Sequence, residues 1–186
     1  MHVSRNGRLT VAAIAAFAAL AFLFGARAGA DLVAPGSKCA GQQNTHASEH
    51  DQEHAMQCLL NYARKHTKAG SLKRNKSLER AAGRKAGDVM RCGPSHTACG
   101  HPADAYAHQY GYMRDGSWAW GENIGWGDGH EGTARGVFLD WLNHGPHRET
   151  MLRGSFEHLG IGLRRGSFQG KGNSAVWVIE LGCHGC

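Results

Sequence analysis

The six cysteines, and where they fall, constrain this chain most. All lie beyond residue 38, at positions 39, 58, 92, 99, 183 and 186, and they follow a segment laid out like an export signal. Residues 1–8 are short and basic, residues 9–24 form an uncharged apolar run, and Ala26-x-Ala28 and Ala28-x-Ala30 are two small-x-small cleavage sites. The apolar run is about 16 residues long, short of the ~20 that span a bilayer. We read residues 1–30 as a secretory signal peptide cut after Ala28 or Ala30, residues 31–50 as an extended tail, and residues 51–186 as the folded domain. The protein is expected to be secreted, with no transmembrane segment in the mature chain.

Outside the cytoplasm an even set of cysteines reads as a disulfide framework. Six cysteines allow 15 pairings, and spacing favours one of them. Cys92 and Cys99 bracket the Gly93-Pro94 loop, Cys183 and Cys186 close the end of the chain, and Cys39 is left to tie the tail to Cys58. In the chain-entropy picture the 92–99 ring stabilises by about 2.5 kcal/mol and the 39–58 ring by about 3.3. The rival is a Zn²⁺ site built on Cys183-His184-Gly185-Cys186, but one such pair falls short of the four ligands of a structural site.

Charge narrows the choice of partner. The whole chain carries +6, and removing Arg5, Arg8 and Arg27 with the leader leaves +3. That mild balance gives little support for a dedicated nucleic-acid binder, which would show a concentrated basic face, so nucleic acid is not an expected partner. A hydrophobic fraction of 41% excludes a fully disordered chain.

Periodicity then places the elements. Ser48 opens a first helix, Asp51 completes a short capping box, and Ala55, Leu59, Tyr62 and Ala63 follow at helical spacing up to a stop at Gly70. Residues 77–90 form a second helix with Leu78, Ala81, Ala82, Ala86 and Val89 on one face, weakened by Gly83 and Gly87. The basic connector 68–76 reads as a solvated loop. The aromatic stretch 118–126 includes a short strand, Thr133 caps a third helix with Val137, Phe138, Trp141 and Leu142, and Gly145-Pro146 breaks it. Residues 159–163 and 175–181 pair as a hairpin around a polar turn. The order predicts an α+β fold with helices covering a small antiparallel sheet.

Four residues carry candidate chemistry: His96, Glu122, His144 and His147. His144 and His147 share one face of a helical turn, and histidine with glutamate is a usual Zn²⁺ ligand set. The same groups suit proton transfer near neutral pH. His46, His50 and His54 form a second stripe at a spacing of four. There is no G-x-S-x-G and no H-E-x-x-H, and every cysteine has a disulfide role, so a thiol nucleophile is not expected.

The ordered pieces Cys58-Leu59-Leu60-Asn61-x-x-Arg64, Ser95-His96-Thr97-Ala98-Cys99-Gly100, Gly121-Glu122-Asn123-Ile124, Trp141 with His147-Arg148, Phe156-x-x-Leu159-Gly160-Ile161-Gly162 and Trp177-Val178-x-x-Leu181-Gly182 resemble the CAP superfamily, or SCP domain, in its short bacterial branch. The likeness covers residues 54–182. It implies a three-layer α-β-α sandwich with a central antiparallel sheet, and a cleft of two histidines and two acids that holds a divalent metal such as zinc in some members. Carried over by position, His96 and His147 match the histidines and Glu122 the first acid. The second acid falls near position 144, where this chain has His144. The expectation is therefore a secreted, disulfide-braced ligand-binding or interaction module with a divalent metal such as Zn²⁺ at His96, Glu122, His147 and His144. Its partner would be an extracellular lipid, cell-wall or protein ligand. The alternatives are a metal-dependent hydrolase or protease, with Glu122 activating water, and a lipid or sterol binder using Tyr106, Tyr110, Trp118 and Trp120.

Overall fold

The computed structural model describes residues 31–114 and 116–186; the signal-peptide reading lies outside them. Five α-helices and four strands follow in the order α1 (Glu49–His66), β1 (Lys73–Arg74), α2 (Lys76–Cys92), α3 (Ala105–Gln109), β2 (Trp118–Asp128), α4 (Ala134–Asn143), α5 (Gly145–Leu152), β3 (His158–Phe168) and β4 (Lys171–His184). The sheet order is β1-β3-β4-β2. β4 runs antiparallel to both neighbours, and the two-residue β1 runs parallel to β3. β2 is thus an edge strand, which decides where the site lies.

The helices start where local chemistry says they should. The Asp51 amide donates to Ser48 Oγ at 3.1 Å, and the Ser48 hydroxyl returns a bond to Asp51 Oδ2 at 2.7 Å. Thr133 accepts from the Gly136 amide at 3.2 Å. The end of α1 differs from expectation. The helix is capped at Thr67, and Lys68, at φ 61°, takes the left-handed turn, ahead of the stop expected at Gly70. The buried Arg64 explains the tight exit: it donates to the carbonyls of Gly70, Met151, Arg153 and Phe156 at 2.6–2.9 Å. One guanidinium thereby satisfies four carbonyls in two connections, at a depth where unpaired carbonyls are costly.

The sheet has two unlike faces. Leu159, Ile161 and Leu163 of β3, with Trp177, Ile179 and Leu181 of β4, pack against α1, α4 and α5 in the larger core. On the other face α2 lies on the sheet through Ala82, Ala86 and Val89 against Val176 and Val178. There the glycines of Leu159-Gly160-Ile161-Gly162-Leu163 admit the helix. A Cβ at Gly160 would sit 2.1 Å from the Leu78 carbonyl oxygen, and one at Gly162 would sit 2.3 Å from that of Ala82. The result is helix, sheet, helix: the three-layer α-β-α sandwich.

Residues 31–48, expected as an extended tail, form a string of turns laid on the larger core. Leu32, Ala34 and Cys39 are buried in it, and Arg135 donates to the Ala34 carbonyl at 2.8 Å and to Gln42 Oε1 at 2.7 Å. The disulfides are Cys39–Cys58, Cys92–Cys99 and Cys183–Cys186. The last pairing removes both thiolates from the rival zinc reading of the C-terminus.

Candidate functional site

The site straddles edge strand β2. Side chains alternate along a strand, so neighbouring residues reach opposite helical layers. Glu122 reaches the α2 layer, where its Oε1 accepts from His96 Nδ1 at 2.6 Å. Asn123 reaches the other layer, where its Nδ2 donates to the His147 carbonyl at 2.9 Å, at the start of α5. Two consecutive residues of one strand therefore hold two histidines 51 positions apart in sequence. His96 and His147 line one cavity of about 480 Å³, together with Ile124, Gly125 and Trp126 of β2 and Asp140 of α4.

The wall is set by close packing. A Cβ at Gly125 would meet Trp141 Nε1 and a Val137 methyl at 2.7 Å each, and the Trp141 indole donates to the Ile124 carbonyl at 3.0 Å. Glycine thus lets α4 lie against β2. The loop carrying His96 is fixed from behind. Lys85 of α2, fully buried, donates to the His96 carbonyl at 2.6 Å and to that of Pro102 at 3.3 Å. The Cys92–Cys99 bridge closes the same loop.

The two histidines are tuned in opposite directions. The bond to Glu122 raises His96 above the ordinary histidine value, against burial and the Lys85 charge. Burial lowers His147, helped by the neighbouring His144 and opposed by Asp140. His147 Nδ1 is buried without a hydrogen-bond partner. The cavity thus presents a histidine that favours its proton beside one that favours losing it.

Glu122 is not on the cavity wall. Its side chain is 1% exposed and stands behind His96. Directly opposite it in the β2–β4 register is Glu180, buried in the middle of an apolar strand. Burial and the Glu122 charge push Glu180 well above the usual carboxylate range, which favours its protonated form. Its Oε2 accepts from the Trp120 indole, and its Oε1, like Glu122 Oε2, is buried without a hydrogen-bond partner. The sequence reading missed Glu180 because its run, Ala175 to Leu181, shows only a β segment; its partner is 58 positions away. It also missed Lys85 and Asp140, which read as the polar positions of amphipathic helices.

His144 lies on the exposed turn between α4 and α5, its ring centroid 4.5 Å from that of His147. Among the described residues no three His, Cys, Asp or Glu side chains gather closely enough to hold an ion between them. Of the histidine stripe, His50 and His54 sit on α1 with ring nitrogens 3.1 Å apart, and His46 precedes the helix. The four aromatics considered for a lipid groove do not line one groove. Tyr106 is buried with its hydroxyl on Asp88 at 2.5 Å, Tyr110 lies under Arg80, Trp120 bonds Glu180, and Trp118 stands exposed against His108.

Residues 58–181 match the model of the CAP family, described as the cysteine-rich secretory protein family. The chain belongs to the CAP family. Solved structures agree at the level of fold. An outer surface protein of Borrelia burgdorferi is 18% identical with a TM-score of 0.59, over 74% of this chain and 96% of that one. An extracellular protein containing an SCP domain from Bacillus anthracis is 18% identical with a TM-score of 0.52, over 73% of this chain and 43% of that one. This chain therefore spans less than half the length of the Bacillus protein. No curated protein sequence matches the chain. The matched range includes both cavity histidines, His96 and His147, and Glu122 behind His96.

Proposed function

We propose that this CAP protein is an exported binding module whose cleft, between His96 and His147, takes an extracellular ligand through a divalent ion such as Zn²⁺. The observation that carries the reading is the orientation of His96. A metal-binding histidine commonly donates its far N–H to a carboxylate, which fixes the tautomer and leaves the other nitrogen for the metal. Glu122 accepts from Nδ1 in this way, leaving Nε2 available. His147 favours its neutral form, the form that binds metal.

On this reading the protein holds the ion through His96 and His147, and Glu122 orients His96 instead of ligating. His144 stands outside the pair as a third nitrogen within a ring's reach of His147. Two protein donors leave positions open for ligand atoms, as suits a binding site more than a closed structural one. When bound, the ion supplies a Lewis acid. Asp140 and Trp126 on the wall contribute a charge and an apolar face for the rest of the ligand. Export is supported by the leader pattern, by three disulfides, and by the secretory description of the family.

The test is calorimetry with Zn²⁺ alone on the oxidised protein. One ion per chain is expected, lost in both His96→Ala and His147→Ala and weakened about 10–100-fold in Glu122→Gln, the usual cost of removing an orienting partner. Binding untouched by the two alanine variants, or none at all, overturns the metal reading.

A further inference from the structure

On the outer face of α2, away from the cleft, Arg80, Arg84 and Arg91 line a groove with Arg164, which reaches across from β3. The groove encloses about 410 Å³ and its lining includes Gly83, Gly87, Tyr110 and Glu79. All four arginines are exposed. From these positions we propose that the groove binds a linear phosphate-bearing polymer through its backbone anions.

Two glycines of α2, Gly83 and Gly87, form part of the groove's floor. Ordinary van der Waals space exists at both: an added Cβ would lie 3.6 Å from Arg164 Nη2 at Gly83 and 3.8 Å from Arg91 Nη1 at Gly87. Neither glycine is required by packing, and neither has a positive φ. The Arg164 guanidinium lies over Gly83 and that of Arg91 over Gly87, between the outer arginines.

The charges are also poorly neutralised. Glu79 is held by Arg74, outside the groove. Arg91 is paired with the buried Asp88. Arg164 stands 3.9 Å from Glu49 and donates to its own neighbour's carbonyl, that of Leu163, at 2.7 Å. Among the described residues Arg80 and Arg84 have no carboxylate in ion-pair range; their partners are aromatic faces, Tyr110 at 4.4 Å from Arg80 and Tyr106 at 6.0 Å from Arg84. Like charges on successive turns of one helix repel, so the row is stabilised by an anion that bridges them.

Length and chemistry select the ligand. From residue 80 to residue 91 the helix rises about 16 Å, too far for one phosphate to touch both ends. Guanidinium matches phosphate through paired N–H donors. The only aromatic ring on the groove wall, Tyr110, is already covered by Arg80, which leaves no platform for stacked bases. The groove therefore reads a chain of anions and nothing else along it. Such a chain can be a polyphosphate or a phosphodiester-linked polymer without bases, and both present the same repeated anion.

The test is binding of the oxidised protein to long-chain polyphosphate, to poly(glycerol phosphate) and to orthophosphate, followed as a function of salt. Saturable binding to at least one polymer and none to orthophosphate is expected; which polymer binds more tightly identifies the source. The double variant Arg84→Gln/Arg164→Gln should bind at least tenfold more weakly. It should also lower the slope of log affinity against log salt by about one for each phosphate contact removed. Lys38→Gln/Lys65→Gln removes the same charge from exposed positions elsewhere and should change affinity less than twofold. Circular dichroism of both variants checks that the fold is kept. An equal loss in the two double variants, wild-type affinity in the groove variant, or binding only to phosphatidylglycerol vesicles overturns the proposal.

Discussion

At the scale of single residues the least expected feature is an acid in a strand core. Glu180 is fully buried; burial and the Glu122 charge favour its protonated form, and its Oε2 accepts from the Trp120 indole. An amide oxygen reproduces that bond without an ionisable group. Glu180→Gln should therefore fold normally, whereas Glu180→Leu leaves the Trp120 indole unpaired and should cost about 1–3 kcal/mol. The pH dependence separates the two protonation states. The folded pKa of Glu180 lies above its unfolded value of about 4.5, so as pH rises through that window the unfolded chain loses the proton first. Stability from this group is then lost by up to about 1.4 kcal/mol per pH unit, until the folded pKa is passed. Glu180→Gln has no such proton to lose. Urea denaturation at a series of pH values above 4.5 should show the variant gaining on the wild type as pH rises. Parallel curves would mean that Glu180 is already ionised in the folded protein.

At the scale of elements, the glycines divide into two kinds that the sequence does not distinguish. Gly160 and Gly162 let α2 approach β3 to backbone contact; Gly83 and Gly87 of α2 leave space open. Gly162→Ala forces a methyl into the Ala82 carbonyl and should destabilise by about 1–3 kcal/mol, the cost of overpacking. Gly87→Ala has room and should stabilise by up to about 1 kcal/mol. Opposite signs in chemical denaturation check the contrast; equal losses would refute it. This is also where sequence reading stops. Ser48 and Thr133 were legible as caps because a cap is written within four residues. The end of α1 was not, because Arg64 settles it through carbonyls up to 92 positions away. The aromatic stretch was expected to include a short strand; β2 runs for 11 residues, and Gly121 and Gly125 are where other elements press on it. His96 and His147 were legible from the ordered family pieces, but the place of Glu122 behind His96 depends on β2–β4 register, which no local pattern encodes.

At the scale of the molecule, the disulfides divide their work between stability and the site. Cys39–Cys58 ties the turns of residues 31–48 to α1, far from the cavity, and closes the longer ring. Cys92–Cys99 closes a short ring, with His96 inside it and Cys99 held at φ 57°, a backbone region that non-glycine residues rarely occupy. Loop-closure entropy grows with ring size. Cys39→Ser/Cys58→Ser should therefore cost more stability, about 3.3 kcal/mol against about 2.5, while leaving Zn²⁺ affinity at His96 and His147 close to wild type. Cys92→Ser/Cys99→Ser should cost less stability and more binding. Without the bridge Cys99 is free to leave its left-handed conformation, and the loop is then held by Lys85, Glu122 and the buried Ala98. Urea denaturation and zinc calorimetry on the two double variants make the comparison. If the 39–58 variant loses more zinc affinity than the 92–99 variant, the loop is positioned by the fold as a whole, and the short ring serves stability alone.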